Sequence, residues 1–178
     1  MKRNDMEPLS TREILKCAIQ NEKIALENYN TIGEIMLNSY NFAVAQIFFE
    51  SANVEKGHFR KLQKALKRLY GVIVTDTTPL PFTTGCAPGS GDNACLLDIR
   101  TGMQEDDAIQ FLEEAERAAE KFYREAVEKT ERPDMKVLFR MLADEEGRHG
   151  RSIRRIARKA VTRVPGKVYE KAVPETMH

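Results

Sequence analysis

Two short stretches, EKGH at 55–58 and EGRH at 146–149, each set a glutamate three residues before a histidine, and together they use two of the chain's three histidines. On an α-helix, residues three apart share one face, so the carboxylate and imidazole of each pair converge on one point and form half of a metal site. A single Glu-x-x-His is a weak signal, because such spacings also arise as surface decoration. Here the pattern belongs to an internal repeat. NEKIALENY (21–29) superposes on AERAAEKFY (115–123), which pairs Glu22 with Glu116, Ala25 with Ala119 and Tyr29 with Tyr123. FFESANVEKGHFRKL (48–62) superposes on FRMLADEEGRHGRSI (139–153), which pairs Glu55 with Glu146, His58 with His149 and Leu62 with Ile153.

The six residues sit on otherwise apolar stripes. Ionised carboxylates in such a setting cost several kcal/mol each, since burial and mutual repulsion both oppose the charge. Two divalent cations would offset four glutamates. One Glu from each of two helices plus Glu-x-x-His from each of two others is the donor set of ferritin-like di-iron and di-manganese bundles. A polar seam that merely fixes helix register is the plainer alternative, and it has no need of two imidazoles.

Four helices have to position these residues, expected at about 10–38, 41–70, 103–131 and 133–161. Ser10 and Glu13 form a capping-box signature. Steps of three and four then run through Leu15, Ala18, Glu22, Ala25, Tyr29, Ile32 and Met36. The second stripe reads Phe48, Ser51, Glu55, His58, Leu62, Ala65 and Leu69, closed by Gly71. The third carries Ile109, Leu112, Glu116, Ala119, Tyr123, Ala126 and Thr130; the fourth, opened by Pro133, carries Phe139, Leu142, Glu146, His149, Ile153, Ile156 and Ala160. Between the hairpins, 71–102 contains a possible short strand (VIVTDT) and a Pro-, Gly- and Thr-rich run, a length suited to crossing a bundle. The expected fold is all-α: an antiparallel four-helix bundle of two helical hairpins joined by a long crossover, with residues 1–163 as the domain and 164–178 as a tail.

On Glu22, Glu55, His58, Glu116, Glu146 and His149, residues 10–160 resemble the ferritin-like superfamily, and within it the rubrerythrin-like di-iron proteins. The resemblance implies that Glu55 and Glu146 bridge two metals, that Glu22 and Glu116 bind terminally, and that each histidine holds one metal. It implies two iron ions, with manganese or a mixed pair also suited to such donors. The implied activity is oxidation of Fe(II) with reduction of hydrogen peroxide or dioxygen, as a peroxidase or ferroxidase. Iron storage or delivery, and a structural metal-binding interaction module, are the rival readings. Full-length rubrerythrins carry a rubredoxin module with paired CxxC motifs; this chain has no CxxC, so an external electron donor is expected. The family's extra carboxylate on the third helix falls at Ala119, with Glu113 and Glu120 on neighbouring turns as substitutes.

Other residues carry two readings each. Tyr29 and Tyr123 stand seven residues beyond a seam glutamate, about 10 Å along the helix, and serve either as core phenols or as groups that approach the centre from the next layer. Glu145 and Arg148 are either solvated charge or, for Glu145, a carboxylate that orients a metal-bound imidazole. Gly57, Gly147 and Gly150 cluster around the histidines, as tolerated helical glycines or as room for close packing and substrate approach. Cys86 and Cys95 are expected as free thiols rather than a redox pair. Nine basic residues from Arg148 to Lys171 oppose one acid, Glu170, a pattern read as a solvated face that complements the helix dipole.

Composition narrows the field further. A net charge of +1, 31% charged residues and 42% hydrophobic ones suit a globular helical domain and imply no nucleic-acid partner. No apolar run approaches the ~18 residues of a membrane helix, and MKRNDMEPLS is not followed by an apolar leader, so a cytoplasmic setting is expected. A homodimer is the expected assembly.

Overall fold

The computed structural model describes residues 10–73 and 102–163. Most of the VIVTDT segment and of the crossover, both Cys86 and Cys95, and the 164–178 tail lie outside the described residues. Four α-helices make up the described fold: α1 (Thr11–Asn38), α2 (Phe42–Tyr70), α3 (Glu105–Lys129) and α4 (Pro133–Arg163). They pair as two hairpins, α1 with α2 and α3 with α4, and the hairpins pack together as a ferritin-like bundle.

Local chemistry sets the helix ends. At Ser10 the hydroxyl accepts from the Glu13 amide at 3.3 Å, while the Glu13 carboxylate accepts from the Ser10 amide at 2.8 Å. Both bonds satisfy donors that the first turn leaves orphaned, and a cap of this kind contributes about 1 kcal/mol. Tyr40, at φ 59°, takes the left-handed conformation that ends α1, and Asn41 N–H then reaches back to Met36 O at 2.8 Å. Gly71, at φ 67°, closes α2 in the same conformation without a Cβ penalty. The third helix begins at Glu105 rather than near 103, because the Asp107 carboxylate turns back to accept the Gln104 amide at 3.1 Å. Glu105, Asp106 and Asp107 in its first turn face the positive end of the helix dipole.

The apolar stripes form two separate cores. One contains Ile32, Met36, Val44, Ile47, Phe48, Ile109, Leu112 and Ile153; the other contains Leu15, Ile19, Leu62, Leu66, Tyr123, Met135, Phe139 and Leu142. Each core draws on both hairpins. Along every helix the glutamates of the repeat fall between a segment of one core and a segment of the other, so a polar layer is sealed above and below by hydrocarbon. Burying each large aliphatic side chain in these cores is worth about 1.5–3 kcal/mol, and together they offset the cost of the layer they enclose. Leu69, Ala25 and Ala119 lie at the edges of their stripes, partly exposed. Among the described residues, no helix is long and apolar enough to cross a membrane.

Candidate metal centre

The polar layer gathers all six residues of the repeat, each at most 8% exposed. Glu22 comes from α1, Glu55 and His58 from α2, Glu116 from α3, and Glu146 and His149 from α4. They form two overlapping clusters. In the first, one donor atom from each of Glu22, Glu55, His58 and Glu146 lies within 4.8 Å of all the others; in the second, the same holds for Glu55, Glu116, Glu146 and His149. Glu55 and Glu146 belong to both. Nδ1 of His58 stands 2.9 Å from Glu146 Oε1, 3.4 Å from Glu55 Oε2 and 3.6 Å from Glu22 Oε2, and Nδ1 of His149 stands 2.8 Å from Glu116 Oε1.

These close approaches lack the alignment of hydrogen bonds. Glu22 Oε2, both carboxylate oxygens of Glu116 and of Glu146, Nδ1 of His58 and both ring nitrogens of His149 are buried without a hydrogen-bond partner among the described residues. A buried polar atom left unpaired costs about 1–3 kcal/mol, more when charged. Eight such atoms in one layer, drawn from donors that suit iron and manganese, fit a pair of metal ions.

Electrostatics describe the same strain. Burial, followed by the charges of the other glutamates, pushes the carboxyls of Glu55 and Glu146 well above the ordinary range. Burial likewise raises Glu116, to about 7. For Glu22 burial also acts upward, but the close approach of His58 and Glu55 and the Tyr123 hydrogen bond outweigh it, and the net direction is down. Burial disfavours the charged form of His58, and the carboxylates of Glu146, Glu22 and Glu55 overcome it, so this imidazole is raised. His149 is lowered by burial. Without a cation the layer balances its charge with protons.

Around the ligand-capable groups, the structure resolves several of the open readings. Tyr123 donates its hydroxyl to Glu22 Oε1, across from α3 to α1. Its distance from Glu116 along its own helix is therefore beside the point, since it serves the glutamate of the other hairpin. Tyr29 is buried against Phe48, with ring centroids 6.0 Å apart. Both phenols are kept protonated, by burial first and by the nearby carboxylates second. Glu145 Oε2 lies 3.2 Å from His58 Nε2 and takes a bond from Lys61 Nζ at 2.5 Å. Glu113 and Glu120 are not drawn into either cluster: Arg154 holds Glu113 at 2.9 Å and Arg124 holds Glu120 at 2.9 Å. Arg148 is exposed and turns its Nε back to Asp144 O at 3.1 Å, a surface role.

Residues 94–176 match the model of the rubrerythrin family. Over that stretch the chain is similar to the rubrerythrin domain. No curated protein and no solved structure matches the chain. The rubrerythrin match takes in Glu116, Glu146 and His149, while Glu22, Glu55 and His58 come from the first copy of the repeat, outside it. Together the paired Glu/His clusters fit the two-metal carboxylate centre typical of rubrerythrin. Lys61 and Arg154 were not singled out from the sequence, because a lysine or arginine on a polar helix face carries no mark of which carboxylate on another helix it will meet; Arg124 pairs with Glu120 one turn away on its own helix.

Proposed function

We propose that the chain is a rubrerythrin-like di-iron oxidoreductase that oxidises Fe(II) and reduces hydrogen peroxide or dioxygen. The observation that carries this reading is the pair of buried four-donor clusters sharing Glu55 and Glu146. In it, Glu22 and His58 would hold one ion, Glu116 and His149 would hold the other, and Glu55 and Glu146 would serve both. An iron pair bound there supplies the two electrons that reduction of the oxidant requires.

The chain's own residues do the rest. Glu145 Oε2 stands 3.2 Å from Nε2 of His58, where it would orient the ring with Nδ1 toward the centre, and Lys61 balances the charge of Glu145. Tyr123 keeps a proton on its oxygen and holds Glu22 in place with it. The two cores exclude water from above and below, which strengthens every charge interaction within the layer. Electrons for further turnovers come from an external donor.

Anaerobic Fe(II) loading followed by metal counting, then stopped-flow absorbance on mixing with hydrogen peroxide or dioxygen, tests the assignment. About two irons per chain and a fast ferric absorption, lost in Glu55→Ala and His149→Ala, are expected. Less than one iron per chain, or binding indifferent to both substitutions, overturns it. The faster oxidant points to the physiological one.

A further inference from the structure

The internal repeat allows a position-by-position comparison of the two sides of the centre. Between α3 and α4 lies a cavity of about 310 Å³ that reaches the centre at Glu116 and Glu146, with Gly147 and Gly150 in its wall and Arg117 and Glu120 among its other lining residues. Its volume is large against the roughly 30 Å³ share of a water molecule. The repeat places Lys56 at the position of Gly147, Phe59 at that of Gly150, Leu26 at that of Glu120 and Ile19 at that of Glu113. Ile19 is fully buried in one core, and Phe59 and Leu26 pack against the cores from the edge. Large side chains therefore occupy, on the first hairpin, the positions that are glycine or outward-held carboxylate on the second.

The glycines have a measurable steric role. A Cβ at Gly150 would sit 3.2 Å from Glu116 Cβ, and one at Gly147 would sit 2.9 Å from Glu120 Oε2. The bare backbone at 147 leaves the space that the Glu120 carboxylate fills, where Arg124 holds it. The carboxylates of Glu113 and Glu120 are each paired with an arginine, and Arg117 and Arg151 add positive charge to the same lining. At its floor, both oxygens of Glu116 are buried and without a hydrogen-bond partner among the described residues.

We infer that the two metal positions are unequal, and that a small exogenous ligand reaches the centre through the α3–α4 cavity, at the Glu116/His149 position, past the wall that Gly147 and Gly150 form. This rests on the two-metal reading above and adds to it the route and the position. Gly150 is a gatekeeping position through its lack of a side chain; it touches no reacting atom.

Cobalt(II) in place of iron and azide as the ligand provide a test independent of turnover. Visible spectra report azide binding to the cobalt-loaded full chain, and cobalt content is counted alongside. The parent is expected to bind azide saturably. Gly150→Ala should weaken or slow azide binding about tenfold, the scale of one added methylene in a fitted site, and Gly150→Phe, which copies the first hairpin, should abolish it, both with about two cobalts retained. Phe59→Ala, the matching change on the first hairpin, should leave azide binding within about twofold, well inside that single-group range. Unchanged azide affinity and rate in Gly150→Ala with full cobalt content overturns the route while the two-metal reading stands, and this variant decides the matter even if Gly150→Phe does not fold. A parent chain that binds less than one cobalt overturns the two-metal reading and the route with it.

Discussion

The two hairpins bring the same three donors to the centre and surround them differently. On the side of His58, the far ring nitrogen is met by Glu145, Glu145 is met by Lys61, and Glu22 is met by Tyr123. On the side of His149, neither ring nitrogen has a hydrogen-bond partner among the described residues, and both oxygens of Glu116 are equally bare. Two of the three supporting groups of the first cluster, Tyr123 and Glu145, come from the second hairpin. A repeat that preserves the donors thus leaves the supporting shell free to differ, and it is the supporting shell that separates one position from the other.

The largest effects should follow from the residues that the two sides share. Glu146→Ala or Glu55→Ala is expected to reduce anaerobic metal content from about two ions per chain to well below one, whereas Glu116→Ala or His58→Ala should leave about one. Metal analysis after gel filtration measures this, and equal losses from shared and unshared positions would erase the distinction between the clusters.

Removal of metal comes next in size. In the metal-free chain, Glu116, with its carboxyl raised from 4.5 to about 7, holds a proton that the unfolded chain has already released; the associated stability is complete below about 4.5 and is lost as pH rises through about 7. Glu55 and Glu146 act in the same direction and outnumber Glu22, which acts in the opposite one. The melting temperature of metal-free protein should therefore fall between about pH 5 and about pH 8. Divalent metal should flatten that dependence and, at a hundredfold excess over Kd, add about 2.7 kcal/mol. Calorimetry at several pH values checks both, and a metal-free chain that becomes steadily more stable toward pH 8 would contradict the electrostatic picture.

Smaller effects sharpen the contrast between the sides. Tyr123→Phe removes a bond to a buried carboxylate and should cost about 1.5–3 kcal/mol in the metal-free chain. Tyr29→Phe, with its ring packing on Phe48 intact, should cost less; denaturant unfolding compares the two. Smallest of all is Lys61→Met, where a partly exposed ion pair is worth about 0–1 kcal/mol to folding. Its expected signature is selective, with one of the two ions released faster to a chelator and the other unchanged.

Much of this molecule is legible in its sequence, for a definite reason. Glu-x-x-His spacing, the stripes that hold it and the repeat that doubles it are all one-dimensional patterns, and the period of a helix turns each of them directly into a shared face. Four helices, their hairpin pairing and the convergence of Glu22, Glu55, His58, Glu116, Glu146 and His149 follow from that alone. The Glu145–Lys61 contact spans 84 residues and the Tyr123–Glu22 contact spans 101. No period links such partners; they meet only after two helices from different hairpins have packed. Tyr123 illustrates the gap, since distance along its own helix points away from Glu116 and says nothing of Glu22. Glu113 illustrates it too, because Arg154, 41 residues away, meets it only in the folded chain, whereas Glu120 and Arg124 are an i,i+4 pair that helix spacing alone provides.

The two cores described above have a consequence for how the chain is tied together. Each mixes side chains from both hairpins, and the hydroxyls of Thr11 and Thr130 meet at 2.7 Å while Asn41 Nδ2 donates to Met103 O at 2.8 Å. The hairpins are thus clasped noncovalently at opposite ends of the bundle as well as through its middle. In assembly terms the four described helices resemble a heterodimer written on one chain, and backbone continuity between the halves raises their effective concentration.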